Sequence, residues 1–185
     1  MPLNPEALSE GLSVLLDAGV DEAVFPMAAA WVAVDGRPAA VGSAGGADAT
    51  TVWDLASLTK PMAVVTLAMR GVEEGWLSLE ERVQWPPGLD ASVRDLLAHR
   101  SGLPPWDDLA AVADQAADDW APGDPRVVAA VAARIGALAG TQQGTAYSDL
   151  GFIALGWHLE RRLGQPLRRL LSGWRPATRD APIDV

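Results

Sequence analysis

Residues 51–76, TVWDLASLTKPMAVVTLAMRGVEEGW, place the strongest constraint on what this chain can become. A β-prone start at Thr50, Thr51, Val52 and Trp53 runs into Ser57-Leu58-Thr59-Lys60, and an apolar stretch of helical length follows. The pattern predicts a helix over 57–74 with Gly75 just past its end, and Pro61 falls in the first turn, where a missing N–H costs little. Ser57 and Lys60 are just under one helical turn apart and so share a face. Lys60 is the one lysine among fourteen lysines and arginines. A guanidinium keeps its proton in a protein, whereas a desolvated amine can release it and act as a base. The helix dipole at this end favours an alkoxide at Ser57 and disfavours a protonated Lys60, and burial pushes the amine the same way. The Ser57 N–H, in the first turn, can donate to an oxyanion. One segment thus offers a nucleophile, a candidate base and half an oxyanion hole. With nine serines in 185 residues, a serine three before the sole lysine arises by chance about 5% of the time.

Tyr147 sharpens this reading. It is the only tyrosine in a chain that uses eight tryptophans for aromatic bulk, and it lies in a loop entering a helix. Near an ammonium, a phenol can be tuned toward phenolate and pass on a serine proton. The plainer alternative is an aromatic core residue with its hydroxyl at the surface.

The other elements follow from local signals. Asn4-Pro5 starts a helix over 5–18, ending near Gly19. Strands over 27–34 and 38–42 flank Asp35-Gly36, a dipeptide that favours a tight hairpin turn. Leu77, Leu79 and Val83 form an apolar clip before the Pro86-Pro87-Gly88 turn, and Ser92 caps a short helix over 93–98. Residues 107–120 read as an exposed acidic helix, and Asp107, Asp108, Asp114, Asp118 and Asp119 as its solvated face. Asp124-Pro125 opens a helix to Leu138, and a last helix runs from Leu150 to Leu163 before Gly164-Gln165-Pro166. Residues 172–185 show no periodicity.

A net charge of −10 argues against nucleic acid and anionic membrane as partners. Without cysteine there is neither disulfide nor thiolate metal site, and His99 and His158 have no metal-ligand spacing, so no cofactor is expected. The N-terminus lacks a basic n-region and no apolar run reaches the roughly 20 residues of a spanning helix, so a cytoplasmic protein without membrane insertion is expected.

Three stretches resemble the serine β-lactamase and penicillin-binding-protein superfamily, in its class C and esterase-like branch. They are Trp53-Asp54-Leu55-Ala56-Ser57-Leu58-Thr59-Lys60, the segment from Val93 to Pro104 containing His99-Arg100-Ser101-Gly102-Leu103, and Tyr147-Ser148-Asp149-Leu150-Gly151. Their order and spacing fit as well. By this resemblance Ser57 is the acylated nucleophile, Lys60 its activating base and Tyr147 the proton shuttle. Asp149 stands at a substrate-binding position where many relatives carry asparagine, and an ionised carboxylate cannot donate a hydrogen bond, so amide recognition of the β-lactam kind is in question. His99 takes the place of a structural residue, and His158 falls mid-helix as a packing or surface residue. The family's third motif, a Lys- or His-led triplet ending in glycine on a C-terminal strand, has no better counterpart than Leu171-Ser172-Gly173.

The expected fold is α+β and helix-rich: an N-terminal β-hairpin plus the mostly helical part of a β-lactamase/transpeptidase-like fold, with the C-terminal sheet strands missing. The expectation is one incomplete domain over 1–185, with helix and hairpin over 5–50, the helical region over 51–171 and an irregular tail over 172–185. The expected function is a serine hydrolase acting on a small-molecule ester or amide through acyl-Ser57, inactive or weak as this truncated chain. The alternative is a non-catalytic half-protein that binds a complementary C-terminal segment, or associates with itself, through an unpaired sheet edge. A helical scaffold with no site would have to treat the lone lysine and lone tyrosine at motif positions as accident.

Overall fold

The computed structural model describes residues 4–171, which fall into two compact units, 4–54 and 55–171. The expected irregular tail, and most of the Leu171-Ser172-Gly173 candidate, lie outside the described residues. The arrangement is helix-rich α+β, as expected.

In the first unit, α1 (Pro5–Asp21) begins where the Asn4 side chain accepts the Glu6 N–H at 3.0 Å. It runs past Gly19, the expected stop. Gly19 is there for packing: a Cβ at that position would lie 2.3 Å from the Phe25 ring. Strands β1 (Ala28–Val34) and β2 (Arg37–Ala44) pair antiparallel around Asp35-Gly36. Both turn residues have positive φ, 50° and 73°, as the tight hairpin turn requires. Leu12 and Leu16 of α1 pack on Gly42 of β2. The opposite face leaves Trp31 53% and Val41 42% exposed, directly across from one another.

The second unit departs most from expectation at its start. In place of one helix over 57–74 there is a 3₁₀ turn (Ala56–Leu58), a π-helical stretch (Lys60–Val65) and then α2 (Thr66–Glu73). Proline supplies a reason. In an α-helix the Ser57 carbonyl would receive the N–H of residue 61, which proline lacks, so the ladder is broken at that step. The Thr66 hydroxyl donates instead to the Pro61 carbonyl at 2.9 Å, within the widened turn.

A two-residue antiparallel ladder, β3 (Arg82–Val83) with β4 (Ala91–Ser92), is too short to register as a periodic pattern. Ser92 and Asp95 form a reciprocal capping box at α3 (Val93–Leu97). The acidic segment is helical only over α4 (Leu109–Ala116), and its face is not simply solvated. Asp107 binds Arg134 at 2.5 Å, Asp108 caps Ala111, Asp114 accepts from the Trp120 indole at 3.0 Å, and Ala113 is buried. Helix α5 (Pro125–Leu138) starts on Asp124 as expected. Helix α6 (Asp149–Leu163) is capped by Ser148 and closed by Gly164 at φ 65°, and α7 (Leu167–Leu171) follows.

Helix α6 runs through the core. Leu150, Ala154, Leu155 and Leu159 are buried against a cluster that includes Val64 and Leu67, Val93 and Leu96, Leu103, and Ile135. Each fully buried leucine is worth about 1.5–3 kcal/mol of transfer free energy, so this cluster fixes the helix that carries Asp149. His158, on the same helix, is half-buried with Nε2 3.2 Å from Glu81.

Gly136 of α5 meets the Pro87-Gly88 turn so closely that an added Cβ would sit 1.8 Å from the Pro87 carbonyl oxygen. Backbone cannot yield as a side chain can, so the overpacking cost exceeds the roughly 1 kcal/mol helix-propensity gain of alanine. Gly136→Ala is expected to destabilise the protein by about 1–3 kcal/mol in urea denaturation; an unchanged or higher midpoint would contradict this packing.

Candidate active site

The 3₁₀ turn and the π-helical stretch set the first pair of groups. In a 3₁₀ turn, side chains three residues apart eclipse, which brings Lys60 over Ser57 more directly than an α-helix would. Lys60 Nζ donates to Ser57 Oγ at 2.9 Å. Ala56, immediately before the serine, has φ 42°, a left-handed backbone that costs an L-residue of order 1–3 kcal/mol and is found mainly where the surroundings impose it.

The second pair arrives from the loop entering α6. The 99–105 loop holds that entry through a series of backbone bonds: Ala146 N–H to the His99 carbonyl at 3.0 Å, Asp149 N–H to Pro105 at 2.7 Å, and Gln142 N–H to Gly102 at 3.1 Å. Ser148 is buried between them. Its N–H donates to His99 Nδ1 at 2.9 Å, its hydroxyl donates to the Pro104 carbonyl at 2.7 Å, and Oγ accepts the Gly151 N–H at 3.1 Å. Because His99 Nδ1 accepts, the neutral imidazole carries its proton on Nε2. The His99 ring packs against Tyr147 and Phe152, with centroids 4.6 and 5.0 Å away. His99 thus ties the 99–105 loop to the entry of α6 through its ring nitrogen and its packing.

These two segments meet at Lys60. Asp149 Oδ1 lies 2.6 Å from Lys60 Nζ, and the Tyr147 ring centroid lies 4.9 Å from it. Ser57 and Lys60 are the neighbours that act most strongly on the Tyr147 hydroxyl. Lys60 is 13% exposed, whereas Asp149 is 52% and Tyr147 55% exposed. Ser57, Lys60, Tyr147 and Asp149, the four residues picked from the sequence, therefore form one cluster.

The electrostatics correct one expectation. Burial, the largest single influence on Lys60, pulls its pKa down as anticipated. The hydrogen bonds to Asp149 and Tyr147 and their charges oppose it, and together they leave Lys60 above the ordinary lysine value. The sequence offered the helix dipole and desolvation but not the carboxylate that outweighs them. Tyr147 is shifted below the usual phenol value, first by the Ser57 hydrogen bond and then by Lys60. His99 is lowered by burial and then by the Lys60 charge, with Asp149 opposing.

Two apolar concavities flank the Ser57–Lys60 pair. One, of about 470 Å³, is lined by Leu55, Leu58, Pro61, Val65, Tyr147 and Phe152. The other, of about 440 Å³, is lined by Val64, Phe152, Ile153, Leu167 and the Asp149 carboxylate. Phe152, shared by both, was not singled out from the sequence; its place three residues into α6 after the tyrosine segment was the available signal. Among the described residues no group of three His, Asp or Glu side chains could hold a metal ion, and no helix is long and apolar enough to cross a membrane.

The Beta-lactamase family profile matches residues 12–174 of the chain. Among solved structures, a D-stereospecific amidohydrolase from a Streptomyces species superposes with a TM-score of 0.66 at 25% identity, over 89% of this chain and 54% of its own. A D-amino acid amidase from Ochrobactrum anthropi SV3, solved with D-phenylalanine, gives a TM-score of 0.63 at 24% identity, over 90% of this chain and 50% of its own. The chain thus spans about half the length of these solved relatives. No curated protein matches it.

His99 and His158 both have folded pKa values below the ordinary histidine value, through burial first; the Glu81 carboxylate partly opposes this at His158. As pH falls below roughly 6.5, the unfolded chain takes up protons that the folded one resists, so this stability is present above that pH and lost through the folded values. The slope of unfolding free energy against pH between 7 and 5 is expected to be positive, and smaller in His158→Gln. A flat wild-type profile would contradict the assignment.

Proposed function

The chain belongs to the beta-lactamase family, and from that membership we propose that it is a serine hydrolase acting on a small ester or amide through an acyl-Ser57 intermediate. The observation that carries this reading is the 2.9 Å contact between Lys60 Nζ and Ser57 Oγ, with the Tyr147 ring centroid 4.9 Å from the same amine. A serine hydroxyl is a weak nucleophile until a neighbouring group can accept its proton, and the Lys60–Tyr147 pair offers that acceptor within hydrogen-bond reach.

In the proposed reaction Ser57 Oγ bonds to the substrate carbonyl carbon while its proton passes to the Lys60–Tyr147 pair. The carbonyl electron pair becomes an oxyanion toward which the Ser57 N–H, in the first turn, is a donor. Collapse breaks the bond to the leaving group, which receives the proton back, and water then releases the acyl group by the same path in reverse. The two apolar concavities suit a substrate with apolar groups on either side of its carbonyl. The names of the two solved relatives, an amidohydrolase and an amidase, support an amide carbonyl as the group attacked. Because a missing oxyanion donor costs about 10²–10³ in rate, and the Ser57 N–H supplies only half of such a hole, turnover by these residues is expected to be slow.

A second reading rests on a different observation. The apolar hairpin face bearing Trp31 and Val41 is exposed, and the chain spans about half the length of its solved relatives. On that reading this is one incomplete domain that binds a complementary segment and needs it for activity.

Short p-nitrophenyl esters separate the two. Hydrolysis above background that falls at least about 10³-fold in Ser57→Ala, and about 10²–10⁴-fold in Lys60→Ala, is the expected result for the hydrolase. Turnover that survives Ser57→Ala would sink the mechanism, and its absence from wild type would favour the half-protein.

A further inference from the structure

Toward the C-terminal end of α6, away from Asp149, the second unit carries a concavity of about 500 Å³ that shares no lining residue with the two beside Ser57. Three segments build it. Trp85 comes from the loop after β3, Val128 from the first turn of α5, and Trp157, Glu160 and Arg161 from α6, with Arg168 of α7 beside them. Trp85 and Trp157, both partly buried, meet with centroids 4.5 Å apart and planes at 64°, so their rings form a corner and not a stack. Glu160 holds the frame: its Oε1 accepts the Leu167 N–H at 2.7 Å, which ties the end of α6 to the start of α7 and so sets where Arg168 stands.

Charge sets this corner apart. The chain carries −10 overall, yet two guanidinium groups line the concavity against one carboxylate, which already accepts a backbone N–H. Elsewhere in the unit Arg82, Arg94, Arg126 and Arg134 each hold a carboxylate. Among the described residues Arg161 and Arg168 have no ion-pair partner, and Arg161 lies instead 5.3 Å from the centroid of the Trp85 ring. A guanidinium presents a planar fork of donors that fits a carboxylate, and tryptophan faces take flat apolar groups. We propose that this concavity binds a small aromatic carboxylate, its ring on the Trp85–Trp157 corner and its charge toward Arg161 and Arg168. A volume of about 500 Å³ suits one fused bicyclic ring with a short acidic arm. The site owes nothing to Ser57 and stands whether or not that serine is acylated.

Three probes with one ring and different charge test it: indole-3-acetate, the neutral indole-3-acetamide and the cationic tryptamine. The full chain, labelled with ¹⁵N at the tryptophan indoles, reports where each binds, and Trp85→Phe and Trp157→Phe identify two of its eight indole signals. Indole-3-acetate is expected to move these two signals and to bind about fivefold or more tighter than the amide, with tryptamine weakest. The concavities beside Ser57 have no tryptophan in their linings, so a probe seated there leaves both signals in place.

Arg161 and Arg168 are both exposed, so Arg161→Gln/Arg168→Gln is expected to fold and to bind acid and amide about equally. In wild type the preference for the acid is expected to shrink between about 0.05 and 0.5 M salt, as exposed charges are screened. Acid and amide binding equally to wild type would overturn the proposal, as would tryptamine binding best or the Trp85 and Trp157 signals staying still at about 10 mM indole-3-acetate. A preference for the acid that persists undiminished in the double arginine variant would overturn it too. The comparison of the three probes on wild type decides even if the variant folds poorly.

Discussion

Lys60 Nζ is the atom on which the site depends. It joins a turn at the start of the second unit to the N-terminus of a core helix, and each contact constrains a different property. The 2.9 Å bond holds the Ser57 hydroxyl, the 2.6 Å contact with Asp149 favours the charged form of the amine, and Ser57 and Lys60 together shift the Tyr147 phenol below its usual value. An amine can meet all three only if the two backbone segments are held in register, and most of the surrounding architecture does that.

The register has identifiable sources. On one side Pro61 interrupts the α-helical ladder, and the 3₁₀ and π-helical turns that result bring Lys60 over Ser57. On the other, Ser148 is buried and spends its N–H and hydroxyl on His99 and Pro104, so the residues to either side of it, Tyr147 and Asp149, have little freedom. Behind both lies the leucine-rich core of α6, packed on Val64, Leu67 and Leu96. Packing energy is thereby converted into the placement of three polar side chains, the arrangement on which preorganised catalysis relies.

Much of this was legible in the sequence where the information is local. Asn4-Pro5, Asp35-Gly36, Ser92, Asp124-Pro125 and Gly164 each mark a boundary through a cap or a positive-φ turn, and the structure places a boundary at each. The four site residues stood out because two are unique in composition and all lie in motif-like segments. What escaped depends on tertiary context. Gly19 resembles a helix stop but accommodates the Phe25 ring, and the acidic segment loses helix at both ends as its aspartates find Arg134 and the Trp120 indole. The direction of the Lys60 shift depends on tertiary context in the same way: dipole and burial are visible along one helix, whereas the Asp149 carboxylate comes from far along the chain.

Family membership and the Ser57–Lys60–Tyr147 geometry both support the proposed acylation of Ser57, and that proposal can be tested without knowing the natural substrate. The most direct measurement is treatment of the intact protein with a fluorophosphonate followed by peptide mapping by mass spectrometry. A single covalent adduct on Ser57, abolished in Ser57→Ala, is the result this account predicts. No adduct, or one that persists on another residue when Ser57 is replaced, would contradict it.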